Sequence, residues 1–198
     1  LDSANASLHL GDQNVRFFPL RALAGDTTFV LQGGAQWDRT QHWSMTCTSV
    51  TGTSDQFAWA AEPPFVISGD REGTLFDRVV ANDGAAHLEA KGRWAAPGGF
   101  YDFMMRATRL DLGRVGMPLD WGMGGEGDGL LVVNGRYGNP SWTFEGRASR
   151  PQFAWHAADS LQLSLAGRMH ELDVRRFGYF LDGGDNPVPF EVATDGAT

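Results

Sequence analysis

Few residues in this sequence have the spacing that ligand binding or bond-making chemistry requires. The segment Gly122-Met123-Gly124-Gly125-Glu126-Gly127 fits the pattern GxGxxG, which in a dinucleotide site lays backbone N–H groups and a helix N-terminus against a pyrophosphate. That chemistry needs a strand before the motif and a helix at its third glycine. Here a strand-like run, Gly129 to Tyr137, follows instead, so the segment reads as a glycine-rich loop. The five histidines, His9, His42, His87, His156 and His170, show no HExxH spacing, and His87, His156 and His170 fall on polar faces. Asp182-Gly183-Gly184-Asp185-Asn186 gathers oxygen ligands without the spacing of a calcium loop and reads as a tight turn. Cys47 is the single cysteine, which excludes an internal disulfide framework and a Cys-rich zinc site. Its place on the inward side of a strand-like run marks a buried structural thiol, and no GxSxG elbow offers a serine nucleophile. The sequence predicts no catalytic residue, no metal and no cofactor.

Charge and composition narrow the partners further. Sixteen Lys+Arg against 24 Asp+Glu give a net charge of −8, with no basic surface for nucleic acid. Aromatic residues at 12% and 26 glycines describe a folded, turn-rich chain. The apolar runs fall well short of the ~18 residues that a spanning helix needs. The length suits a single β-rich domain over 1–198. The chain starts at Leu1 without a methionine, which suggests a segment of a larger protein whose anchor or signal lies elsewhere.

The elements that must position any site read as strands, because period-two alternation dominates from Asp26 to Leu181. Leu88, Ala90, Gly92 and Trp94 alternate with His87, Glu89, Lys91 and Arg93. After a turn at Ala95-Ala96-Pro97-Gly98-Gly99 the next run groups Tyr101, Phe103, Met105 and Ala107. Leu131, Val133 and Tyr137 form another set, then, after Gly138-Asn139-Pro140, Trp142, Phe144, Gly146 and Ala148. Phe153, Trp155 and Ala157 make a short strand, and Leu161, Leu163, Leu165 and Gly167 a clean one. Weaker sets run through Phe29, Leu31, Gly33, Ala35 and Trp37, then Trp43, Met45 and Cys47, then Phe57 and Trp59. Roughly ten strands result. Helix is confined to a turn or two at Arg16–Leu23, broken by Pro19, and at Leu110–Val115, which contains Gly113.

A sheet of this size with one apolar face and no helix to cover it must curl, fold into a sandwich or jelly roll, or close into a barrel. Two hairpins also resemble each other: Gly92-Arg93-Trp94 leading to Arg106-Ala107-Thr108-Arg109, and Gly135-Arg136-Tyr137 leading to Arg147-Ala148-Ser149-Arg150, roughly 43 residues apart. The enclosed face collects Leu31, Trp37, Trp43, Met45, Leu88, Trp94, Phe103, Met105, Leu131, Val133, Trp142, Phe144, Phe153, Trp155, Leu161, Leu163 and Leu165. Such a set is either a plain core or the lining of a groove for an apolar ligand.

Leu110-Asp111-Leu112-Gly113-Arg114-Val115, the Gly127-Asp128-Gly129-Leu130 stretch, NGRYGNPSWTFEGRA and DSLQLSLAGRMHELDV resemble the repeats of the TamB and AsmA-like family of bacterial envelope proteins. The resemblance covers about Gly69 to Phe180. It implies a long antiparallel-rich sheet folded lengthwise into a trough, the β-taco, whose apolar interior conducts phospholipids across the periplasm of diderm bacteria. In this chain Trp94, Phe103, Met105, Leu131, Val133, Trp142, Phe144, Leu163 and Leu165 would line that groove. It further implies a protein anchored in the inner membrane by an N-terminal segment absent from this sequence, with a TamA-like outer-membrane assembly partner reached through regions outside it. The competing expectation is a carbohydrate-binding β-sandwich with its tryptophans exposed on one outer face; a purely structural scaffold is the third.

Overall fold

The computed structural model describes residues 2–54, 58–116, 123–153, 156–168 and 171–180. Its strands are β1 (Ser3–Gly11), β2 (Asn14–Ala24), β3 (Thr27–Trp37), β4 (Trp43–Thr53), β5 (Ala58–Ala61), β6 (Phe65–Asp70) and β7 (Gly73–Asp83). They continue with β8 (Ala86–Ala95), β9 (Phe100–Asp111), β10 (Met123–Arg136), β11 (Asn139–Phe153), β12 (His156–Ala157), β13 (Ser160–Arg168) and β14 (Glu171–Phe180). The one helix among the described residues, α1, is the single turn Leu112–Gly116 between β9 and β10. The chain is all-β, as the alternation requires.

All fourteen strands belong to one antiparallel sheet in which nearly every strand pairs with its neighbour in sequence. The expected alternative of two sheets packed as a sandwich is not the arrangement of these strands. Between β4 and β7 the place of a single strand is shared by β5 and β6, which pair with different parts of β4. Glu62-Pro63-Pro64, with a cis bond between the prolines, separates them; a proline has no N–H to give to the ladder, so pairing stops there.

Three local expectations differ from the structure. Arg16–Leu23 is part of β2 rather than a helical turn, and Pro19 falls in the register shift between Phe17 and Leu20, where a missing N–H is tolerated. The glycine-rich segment ending at Gly127 enters β10 at Met123 instead of forming a loop, with a bulge at Gly125, φ +102°. Phe153 and Ala157 do not share a strand: Phe153 ends β11 opposite His156 of β12. Trp155, Phe57, His170 and Asp182–Asn186 lie outside the described residues.

The resemblance between the two hairpins extends to the backbone. Gly92 and Gly135 both have positive φ, +101° and +111°. Arg109 and Arg150, four residues into matching bulged segments, both adopt the left-handed conformation, φ 55° and 49°. Left-handed φ is uncommon for residues with a side chain, so its recurrence at equivalent positions marks a structural repeat.

Candidate apolar groove

Residues directly opposite each other in a β-ladder share a face, so the register traces each face across the sheet. From β10, Val133 lies opposite Phe103 and Trp142, and Leu131 opposite Met105 and Phe144. Onward, Phe144 pairs with Leu165, Gly146 with Leu163, and Ala148 with Leu161. In the other direction Met105 pairs with Ala90, Phe103 with Gly92 and Ala107 with Leu88. Gly92, which shares a face with Trp94, pairs with Phe76, and Phe76 with Ile67. Ile67 then meets Met45 and Gly69 meets Trp43. Met45 meets Ala35, Trp43 meets Trp37, and Val50 meets Leu31. Every expected groove residue with a described side chain is therefore on one face. Of the other two, Phe153 is placed by its backbone opposite Met123, and Trp155 is outside the described residues.

Register also adds residues that the alternation did not single out. Phe76 and Ile67 are on this face, as are Val15, Phe17 and Leu20 of β2. The shift between Phe76 and Val79 breaks the period of β7, which hides Phe76 from a count by twos. Only the ladder restores it.

Small residues let the large ones lie flat. A Cβ at Gly69 would come within 2.5 Å of the Trp43 ring, and one at Gly146 within 2.9 Å of the Phe144 ring, which also covers Gly129. Trp94 makes edge-on contacts with Tyr101 and Phe103 at 5.2 and 5.3 Å between centroids, and Phe76 meets Phe103 at 5.7 Å. Such pairs contribute about 0.5–1.5 kcal/mol each beyond area burial. Phe103 and Val133 are buried by their neighbours, yet Trp37, Trp43 and Trp94 keep 43, 37 and 46% of their surface exposed. A closed core would not leave three tryptophans so accessible. Single exposed apolar residues such as Leu75 and Phe100 also occur on the other face.

That other face carries the paired charges, with apolar residues such as Val80, Met104 and Val132 among them. Glu89 opposes Arg106, Asp128 opposes Arg147, and Arg78 pairs with Glu89 at 3.0 Å. A depression of about 640 Å³ lies there, between Arg106, Asp128, Glu145 and Gln162. Arg93 holds Asp70 at 3.0 Å and, with the Glu72 and Gly73 N–H donors, keeps its carboxyl below the ordinary carboxylate range. His87 shares a hydrogen bond of 2.8 Å with Asn82. Cys47 is buried between Gly33 and Phe65, and burial pushes its thiol pKa up.

Among the described residues no group of three or more His, Cys, Asp or Glu is placed to hold a metal ion. No described helix is long and apolar enough to cross a membrane. Comparison with family models, with curated proteins and with solved structures finds no match to this chain.

Proposed function

We propose that this chain is a non-enzymatic segment of a TamB or AsmA-like envelope protein, in which the sheet curls into a trough that binds and conducts phospholipids between the inner and outer membranes. One observation carries the reading: a single apolar face runs without a polar break through the ladder from Leu31 to Leu165, and Trp37, Trp43 and Trp94 on it remain about half exposed. The resemblance in sequence, confined to hairpin patterns, supports the family, the periplasmic setting and the link to outer-membrane protein assembly.

The energetics suit passage rather than capture. A methylene fully removed from water gains about 0.8 kcal/mol; a chain of about sixteen methylenes touched on one side gains about half of that per group, about 6 kcal/mol. Affinity of that size, before the cost of immobilising the lipid, falls between the micromolar and millimolar ranges. No fixed polar anchor interrupts the face, so a chain can slide along it. A sugar platform would want tryptophans standing among polar side chains; here Trp37, Trp43, Trp94 and Trp142 share a face with Leu and Val.

The test is mass spectrometry of organic-solvent extracts of the protein, purified without detergent after expression in a bacterial periplasm, beside an inert protein of similar size. Stoichiometric phospholipid is the expected result. Lipid at the level of the control, with sugar binding or none, would refute the reading.

A further inference from the structure

Arg109 and Arg150, the two repeat-related arginines in left-handed conformation, line one depression of about 390 Å³ together with Asp111 and Glu126. A second hollow of about 320 Å³ shares Arg109, Asp111 and Glu126 and opens onto Trp59 and Leu110. Leu110 pairs with Gly127, and Trp59 with Gly52, both on the apolar face. Glu126, in step with Asp128 along β10, and Asp111 opposite it belong to the polar face, so this hollow joins the charged cluster to the apolar face at the strand ends, on the side of the sheet that carries the β9–β10 connection and the β7–β8 turn.

Two features set this cluster apart from an ordinary solvated surface. The first is backbone strain: of three non-glycine residues with positive φ in the described chain, two are these arginines. Such conformations cost about 1–3 kcal/mol and bulges re-aim side chains, so their recurrence calls for a role. Each is held by its amide, Arg109 N donating to Asp128 Oδ1 and Arg150 N to the Asp159 carbonyl, both at 2.8 Å. The second is loose pairing. Arg109 Nε stands 3.6 Å from Glu126 Oε1, and Asp111 Oδ2 3.7 Å from Arg114 Nε, with these side chains about half exposed. Two guanidiniums and two carboxylates give no net charge; Asp111 is fixed through Oδ1, which accepts the Gly113 and Arg114 N–H groups at 3.0 and 3.4 Å, and keeps Oδ2 for a ligand.

We propose that Arg109, Arg150, Asp111 and Glu126 bind the zwitterionic headgroup of a phospholipid, a phosphodiester that carries an ammonium. The guanidiniums take the phosphate oxygens and the carboxylates take the ammonium. The glycerol end then lies at Trp59 and Leu110, and the acyl chains continue onto the apolar face. An anionic headgroup without the ammonium would leave Asp111 and Glu126 facing negative charge. This inference rests on the lipid-binding reading.

The experiment offers the full chain vesicles of equimolar dioleoyl phosphatidylethanolamine and dioleoyl phosphatidylglycerol, and counts lipids in the recovered protein by mass spectrometry. A parallel arm offers water-soluble glycerophosphoethanolamine. Variants Arg109→Asn and Arg150→Asn remove the charge while keeping a residue that tolerates left-handed φ, and thermal unfolding shows that they fold. The expected result is at least fivefold enrichment of the ethanolamine lipid on the wild type and loss of that preference in both variants, with total lipid unchanged. Lipid taken up without headgroup preference, or a preference that survives both substitutions, would overturn the site and leave the groove standing. Uptake of neither lipid would overturn both. Binding of the soluble compound alone would refute the lipid reading and, with it, the placement of acyl chains beyond Trp59.

Discussion

Replacing Gly92 and Gly135 separately by alanine tests whether the repeat is equivalent in packing as well as in conformation. Both glycines have φ near +100°, a region closed to side chains, and alanine there costs about 2 kcal/mol. The surroundings differ. A Cβ at Gly135 meets its nearest atom, the Asn139 carbonyl oxygen, at 3.3 Å, whereas at Gly92 it collides with the Asp102 carbonyl oxygen on the paired strand. Backbone cannot swing aside as a side-chain tip does, so β8 and β9 must part there, adding about 2 kcal/mol. With a urea m-value of about 3 kcal/mol per molar for a chain of this size, Gly92→Ala lowers the unfolding midpoint by about 1.3 M and Gly135→Ala by about 0.7 M. Urea titration followed by circular dichroism reads both. Midpoints within about 0.2 M of each other would show that the carbonyl contact plays no part and that the steric reasoning is wrong.

Phe144→Arg should leave the protein folded, because its position is only half buried, while reducing co-purified lipid at least fivefold; extract mass spectrometry and circular dichroism on the same sample check both halves. Asp70, held below the ordinary carboxylate range by Arg93, contributes stability that is complete above about pH 4 and is lost as the pH falls toward its lowered value. Asp70→Asn should therefore flatten the acid limb of stability against pH in denaturant titrations from pH 6 down to pH 2.5, and an unchanged slope would count against the pairing. Cys47, buried with a raised thiol pKa, should react with a thiol reagent at pH 8 only in denaturant; rapid reaction of the native protein would mean that β4 opens easily.

Alternation was sufficient to place β3, β4, β8, β9, β10, β11 and β13 and their apolar face because one face of each strand meets water and the other meets large side chains; it singled out no set in β1, β6, β7 or β14. It failed where the period slips. The shift after Phe76 hides that residue from the pattern, and the shift at Pro19 makes β2 look like a broken helix. The glycines of the GxGxxG segment lack side chains to alternate, so a strand entrance resembled a loop. The charged cluster was illegible for another reason. Arg109 and Glu126 are separated by the β9–β10 connection and Arg150 by a further hairpin; only the ladder brings them to one depression, and left-handed φ at an arginine leaves no mark in composition.

The near-sequential pairing of the sheet has a consequence for how such a protein forms and evolves. Each strand is templated by one or two strands synthesised shortly before it, β6 by β4 and β13 by β11 where the immediate neighbour does not pair, so assembly can advance like a zipper as the polypeptide leaves a pore, with no distant segment to wait for. The same logic applies to ancestry. An in-frame duplication of one hairpin inserts a unit whose two flanks already match their new neighbours, so the ribbon can lengthen by gene duplication without remodelling any other contact.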